Sequence, residues 1–207
     1  MAYAFLKAMG LNGEIGTFKV DLRKGKMTAS AGHEVVSSRG GEYQICSSRY
    51  PFCACVEPIA EGGNYPVCGK DDPTKDNSIQ SVMQFIPFNQ ELNRFTLIAK
   101  GGNARSYRVR WGSQEKVISA EELAGGINLA EVFPSNPFGE AFARVDAAVA
   151  SKQAFETKQI KEVFHGAEGK ADMAGAVERT ERERASLAKA VLESQVPVTH
   201  VIRIDPL

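Results

Sequence analysis

Long apolar runs are missing from this chain: no stretch approaches the roughly 20 residues that a membrane-spanning helix needs. A surplus of charge of either sign is missing as well. With 25 Lys and Arg against 25 Asp and Glu, net charge gives no reason to expect nucleic acid or an anionic membrane as a partner. Repeats and low-complexity tracts are absent, and a hydrophobic content of 43% excludes the disordered class. The sequence holds no Gly-x-Ser-x-Gly elbow, no Gly-Asp-Ser block, no phosphate-cradling glycine loop and no His-Glu-x-x-His pair. It therefore contains no complete catalytic constellation, and nothing in it calls for a cofactor.

Histidine is scarce. The three present, His33, His165 and His200, bound any imidazole-dependent site. His200 stands in a terminal strand pattern, where a structural role is the default. His33 follows Gly32 at a strand start, and His165 ends a helical pattern, where the helix dipole favours an imidazolium. A self-contained hydrolytic site would have to pair Ser47 or Ser48 with His33 or His165.

What the chain has in concentration is cysteine. Cys46, Cys53, Cys55 and Cys68 all fall within 23 positions of a 207-residue chain. Zinc knuckles favour Cys-x-x-Cys, and Cys53-x-Cys55 is not one, so no metal is expected. A nucleophilic cysteine needs a base, and no histidine is near in sequence. One or two disulfides pinning a loop is the favoured reading in an oxidising compartment; free thiols are the alternative. Bonding Cys53 to Cys55 across one alanine is unattractive, so pairing outward to Cys46 and Cys68 is preferred.

Along the chain, residues 1–9 read as a helix with Gly10-Leu11 as a Schellman-type stop, yet no Ser, Thr, Asp or Asn caps its start. The chain reads as though a longer helix were entered partway. Alternation then gives strands near 18–22, 27–30, 33–36, 43–46, 82–86, 94–99, 106–111 and 116–118, with an irregular stretch over 51–78. Ser119-Ala-Glu-Glu122 is a capping box, and Ser135-Asn136-Pro137 starts a helix with apolar residues at Phe138, Phe142, Val145 and Val149. The pattern continues less cleanly through Phe155, Ile160 and Val163. Asp172 caps a second helix in which Glu178 and Arg182 stand at ion-pair spacing. Residues 198–204 form a closing strand. The expected fold is α+β: an antiparallel β-sandwich-like region, a long αα-hairpin, and a C-terminal strand returning to the sheet. The expected organisation is a residual helix over 1–12, a β-rich region over 13–118, and a hairpin with terminal strand over 119–207 that joins the β region as one unit. Asn89, Asn93 and Arg94 either line a polar pocket or cap a tight turn, the latter being the plainer reading. Arg49 and Tyr50 are either a binding lip or a packed pair at a sheet edge.

The motifs "SSRYPFC" (47–53), "PFNQELNRFTL" (87–97), "GINLAEVFPSNPF" (126–138), "KQAFETKQIKEVFHG" (152–166) and "VPVTHVIRI" (196–204) together resemble the C-terminal half of SGNH-hydrolase-type, GDSL-like esterases of the planctomycete and verrucomicrobial kind. The resemblance implies an upstream catalytic domain carrying Ser in Gly-Asp-Ser and the acid and base in Asp-x-x-His, followed by a helix like "MAYAFLKAMGLNGEIG". None of those catalytic residues has a matching position here. It further implies a secreted or periplasmic protein, disulfides, an ester or glycan substrate, and either that catalytic domain or self-association as partner. Three readings follow: an accessory region of an ester hydrolase, a self-contained esterase, and a structural or oligomerising module.

Overall fold

A computed structural model describes residues 1–55 and 79–207 of the chain. The described residues gather into two compact units, one of residues 1–140 with 197–207, the other of residues 141–196. The expected 119–207 segment is thus divided. Its terminal strand belongs with the sheets, and its hairpin forms a unit of its own.

The first unit opens with α1 (Ala2–Ala8), which has no side-chain cap and no buried residue. Its end is the expected Schellman closure. The Leu11 N–H donates to Leu6 O and the Gly10 N–H to Lys7 O, with Gly10 at φ 77°, a conformation that costs glycine nothing. Nine strands follow: β1 (Glu14–Asp21), β2 (Lys26–Ala29), β3 (His33–Arg39), β4 (Glu42–Ser47), β5 (Arg94–Lys100), β6 (Ser106–Trp111), β7 (Gln114–Ser119), β8 (Ile127–Asn128) and β9 (Val198–Pro206). They form a four-stranded sheet in the order β2-β1-β5-β8 and a five-stranded sheet in the order β3-β4-β9-β6-β7.

The larger sheet is antiparallel throughout, with β9 paired on both sides. The smaller one departs from expectation, because β1 and β5 run parallel. A parallel pair requires a long crossover, and the whole segment from β2 through β4 and beyond supplies it. The strand expected at 82–86 is not formed. Those residues lie in α2 (Ile79–Met83) and the turn after it, where the Phe85 N–H donates to Val82 O. Five apolar residues in a row do not distinguish a strand from a helical turn; the presence of a neighbouring strand does. Short helices α3 (Phe88–Glu91), α4 (Ala120–Gly125) and α5 (Leu129–Val132) join the strands. The Ser119–Glu122 capping box at α4 is complete in both directions.

Strict alternation turns one face of each sheet inward. Phe18, Phe95 and Leu97 from the small sheet meet Tyr43, Ile45, Val109, Trp111 and Ile202 from the large one, all at or near zero exposure. Phe95 stacks on Trp111 with centroids 5.5 Å apart, and Phe138 meets Phe95 edge-on at 5.4 Å. Each such side chain contributes about 1.5–3 kcal/mol by leaving water. This aromatic layer is the ground on which the polar site below is built.

The second unit contains most of α6 (Gly139–Lys158), a π-helical segment (Gln159–Phe164), α7 (Ala167–Ala171) and α8 (Met173–Ser194). The widened π turn explains why the apolar spacing loses its pitch after Phe155: an extra residue per turn rotates the stripe. Gln159, almost fully buried, donates its Nε2–H to Thr180 Oγ1 at 2.9 Å and to Glu181 at 3.1 Å. Asp172 caps α8 as expected, accepting the Gly175 N–H. Glu178 and Arg182 pair at 3.2 Å. Among the described residues no helix is long and apolar enough to cross a membrane.

Candidate functional site

Strand register brings three of the sequence-singled residues, and one that the sequence reading left aside, into a single polar chain. His33 on β3 stands directly across from Ser47 on β4. Ser47 pairs with Val198 on β9, so His200, two residues on, lies diagonally on the same inward face. Trp111 on β6 pairs with Ile202, which makes His200 its diagonal neighbour from the other side. Long side chains span such diagonals.

The resulting contacts are short. Ser47 Oγ lies 2.8 Å from His33 Nδ1 and 2.9 Å from His200 Nε2. Trp111 Nε1 lies 3.1 Å from His200 Nδ1, and His33 Nε2 lies 2.9 Å from Ile15 O. The two ends fix every proton between them. An indole N–H only donates and a carbonyl only accepts. His200 Nδ1 must therefore accept from Trp111, which leaves its Nε2–H to donate to Ser47. The Ser47 hydroxyl donates to His33 Nδ1, and His33 Nε2–H donates to Ile15 O. The chain runs in one direction, from indole to carbonyl, with both imidazoles neutral and every polar atom satisfied. Ile15 is free to serve because β1 bulges there: Glu14 faces Arg94 while Gly16 faces Phe95. Gly16 leaves the room, since a Cβ on it would stand 2.6 Å from His33 Nε2.

The electrostatics agree. Burial holds the His200 imidazole down at about 3, with a smaller push from His33. His33 is also lowered, chiefly by burial and less by the Arg49 charge, against a raising effect from Ile15 O. Rings of Phe18, Phe95 and Phe138 surround His200, the last at 4.9 Å.

A serine against an imidazole is the outline of a hydrolytic nucleophile and base. Here, however, Ser47 is 0% exposed, and its oxygen accepts a hydrogen bond from a second imidazole. An acyl carbon has no approach to it, so the arrangement is a buried brace that locks β3, β4, β6 and β9 together. Ser48 is exposed and donates to Gly32 O at 3.1 Å, with no imidazole beside it. His165 closes the π-helical segment in the other unit.

The candidate binding residues also act on the chain's own backbone. Asn93, 1% exposed, accepts the Phe52 N–H at 2.7 Å and donates to Phe52 O and Asn89 Oδ1, both at 3.0 Å. Its amide thus imitates a strand partner for the segment after β4. Arg94 donates to Gln90 O and Glu91 O, closing α3. Arg49 donates to Glu14 O at 2.7 Å, and Tyr50 packs 5.5 Å from Phe138. Asn128, which no sequence signal singled out, caps α5 and ties Asn89 O, Asn93 O and the Phe95 N–H together.

The preferred outward pairing of Cys46 is corrected: Cys46 is a free thiol. Alternation explains Cys46, because Tyr43, Ile45 and Ser47 point inward and Cys46 points to the opposite face. Cys53 is buried, with Sγ 3.6 Å from Asn136 Oδ1, and burial pushes its thiol up to about 12. Cys55 is buried near Pro134 O, and Cys68 lies outside the described residues. Among the described residues no three His, Cys, Asp or Glu side chains gather as metal ligands.

Neither a family model nor a curated protein matches the chain. A gut microbial diltiazem-metabolizing enzyme of known structure is similar in fold, with a TM-score of 0.61 at 18% identity, over 100% of this chain and 53% of that one. The chain spans about half the length of that structure, and at this identity the likeness is one of fold.

Proposed function

We propose that this chain is the accessory part of a larger ester hydrolase of the GDSL-like, SGNH type, packing on or bordering a substrate cleft whose catalytic groups lie outside it. The observation that carries the reading is coverage: the whole chain corresponds to about half of a structure whose name is that of an enzyme. Two features support it. The one Ser–His contact among the candidate residues is sealed from substrate. Helix α1 buries nothing, exposes Phe5 and Met9, and is held to α3 through Tyr3 and Lys7 on Glu91. An apolar helix face of that kind favours a protein neighbour. The same face supports self-association as the second reading. Secretion, which the resemblance implies, would suit the disulfide expected of the loop. Cys46 is a free thiol, so the proposed disulfide would not involve it.

The test is an assay of the purified chain on short acyl p-nitrophenyl esters, beside Ser47→Ala and His33→Gln, with circular dichroism to show that each is folded. No turnover above the blank is expected. Turnover that a folded variant abolishes would establish the self-contained esterase instead. The gene upstream of the Met1 codon gives an independent check: in-frame Gly-Asp-Ser and Asp-x-x-His blocks are expected there, and an in-frame stop without them overturns the accessory reading.

A further inference from the structure

The outer face of the small sheet carries a concavity of about 790 Å³ whose rim includes Lys19, Arg23, Lys24, Lys26 and Lys100, with Asp21 the one acid among its lining residues. A chain of zero net charge has no general excess of cations, so this grouping is local. Several cations elsewhere are paired with carboxylates. Arg110 and Arg203 pair with Asp205, Arg108 with Glu115, and Arg184 with both Glu156 and Glu181. On this face only Lys24 has a partner, Asp21 at 3.7 Å, and among the described residues no carboxylate lies within ion-pair distance of Lys19, Arg23, Lys26 or Lys100.

Asp21 itself is committed to the turn. Its Oδ1 accepts the N–H groups of Arg23 and Lys24, each at 3.0 Å, which folds the β1–β2 connection and sets both cations at the groove. Those backbone bonds, Lys24 first, hold its carboxyl below the usual range. Lys100 arrives from β5 because that strand is parallel to β1, with Lys100 opposite Asp21. The groove is thus assembled from a turn and a tertiary pairing, and Ile98 gives it an apolar floor.

We propose that this groove binds an acidic polysaccharide through its sulfate or carboxylate groups. Four of the five cations are lysines, point charges that suit anions spaced along a chain better than one bidentate clamp. Among the described residues no aromatic side chain lines the groove, so they offer no stacking platform of the kind that single-stranded nucleic acid uses. The exposed large hydrophobic side chains lie elsewhere, so the groove has no apolar anchor for a membrane surface. This inference does not depend on the accessory reading.

The probes are a heparin oligosaccharide for sulfate and an oligogalacturonate for carboxylate, titrated calorimetrically at low and at physiological salt. Binding of either that weakens as salt rises is expected. The double variant Lys26→Gln/Lys100→Gln, both exposed positions, should lose roughly tenfold in affinity or more at low salt. Arg39→Gln/Lys116→Gln, an equal change of charge on the edge strands of the large sheet and outside the groove lining, should lose less than about twofold. A response to heparin alone assigns sulfate, and a response to oligogalacturonate alone assigns carboxylate. Binding of neither, binding indifferent to salt, equal losses in both variants, or tighter binding of single-stranded DNA would each overturn the proposal.

Discussion

Replacing Ser47 by alanine tests the directed chain of hydrogen bonds at its midpoint. The hydroxyl does two things: it accepts from His200 Nε2–H and donates to His33 Nδ1. Alanine removes both functions and leaves little space for a water, because the site is ringed by Phe18, Phe95 and Phe138. His200 is 3% exposed, so its orphaned N–H bears a full desolvation cost of about 1–3 kcal/mol. His33 is only half-buried and can recover water, which limits its share to about 1 kcal/mol. The sum is a loss of about 2–4 kcal/mol. With a urea slope of about 1–3 kcal/mol per molar, the midpoint should fall by about 1 M. Trp111 is the single tryptophan and lies in the first unit, so its fluorescence follows the unit that contains the network. A loss below about 0.5 kcal/mol, with the slope unchanged, would refute the assignment of Ser47 as a bridge between two neutral imidazoles.

Acid should act on the same network. His200 falls from 6.5 to about 3 on folding, so between those values the unfolded chain binds the proton that the folded chain refuses. Stability is then lost as pH drops through that window, by up to about 1.4 kcal/mol per pH unit, and recovered above pH 6.5. Denaturation midpoints between about pH 7 and pH 5, above the range where carboxylates titrate, should show the slope in the native chain and a shallower one in His200→Gln; equal slopes would count against it. Asn93→Ala removes three hydrogen bonds at a buried position and should cost about 2–3 kcal/mol. Faster hydrogen exchange at the Phe52 amide is the local sign, and an unchanged rate there would contradict the bracing role. Iodoacetamide under denaturing, non-reducing conditions should label Cys46, and an unlabelled Cys46 would contradict its free thiol. In the native protein Cys46 should react first, because Cys53 is 1% exposed with its thiol pushed up to about 12.

Local chemistry made much of this molecule readable in advance. The capping box at Ser119, the Asp172 cap, the glycine closure of the first helix and the alternation of residues 198–204 each depend on neighbours within a few positions. Such interactions are properties of the chain itself. The terminal strand pattern around His200 was enough to expect a structural histidine. The strand expected at 82–86 failed for the opposite reason, since apolar content specifies burial and leaves the choice of partner to the fold.

The candidate site depended on that choice. Ser47 and His33 could be named only as one of several possible Ser–His pairs, and their contact exists because β3 and β4 pair in one register. His200 joins because a strand more than 150 residues downstream inserts between β4 and β6. A slip of one residue in either pairing would turn these side chains to the opposite face. The parallel partnership of β1 and β5 likewise decided that Lys100 should stand beside Lys19 and Lys26, which the net charge of zero concealed. Sequence alone determined the helix ends, the turns and which faces are apolar, because these follow from torsional preference and hydration within a few residues. Tertiary structure decided which polar groups meet, because register and strand order are settled only when distant segments close the core together.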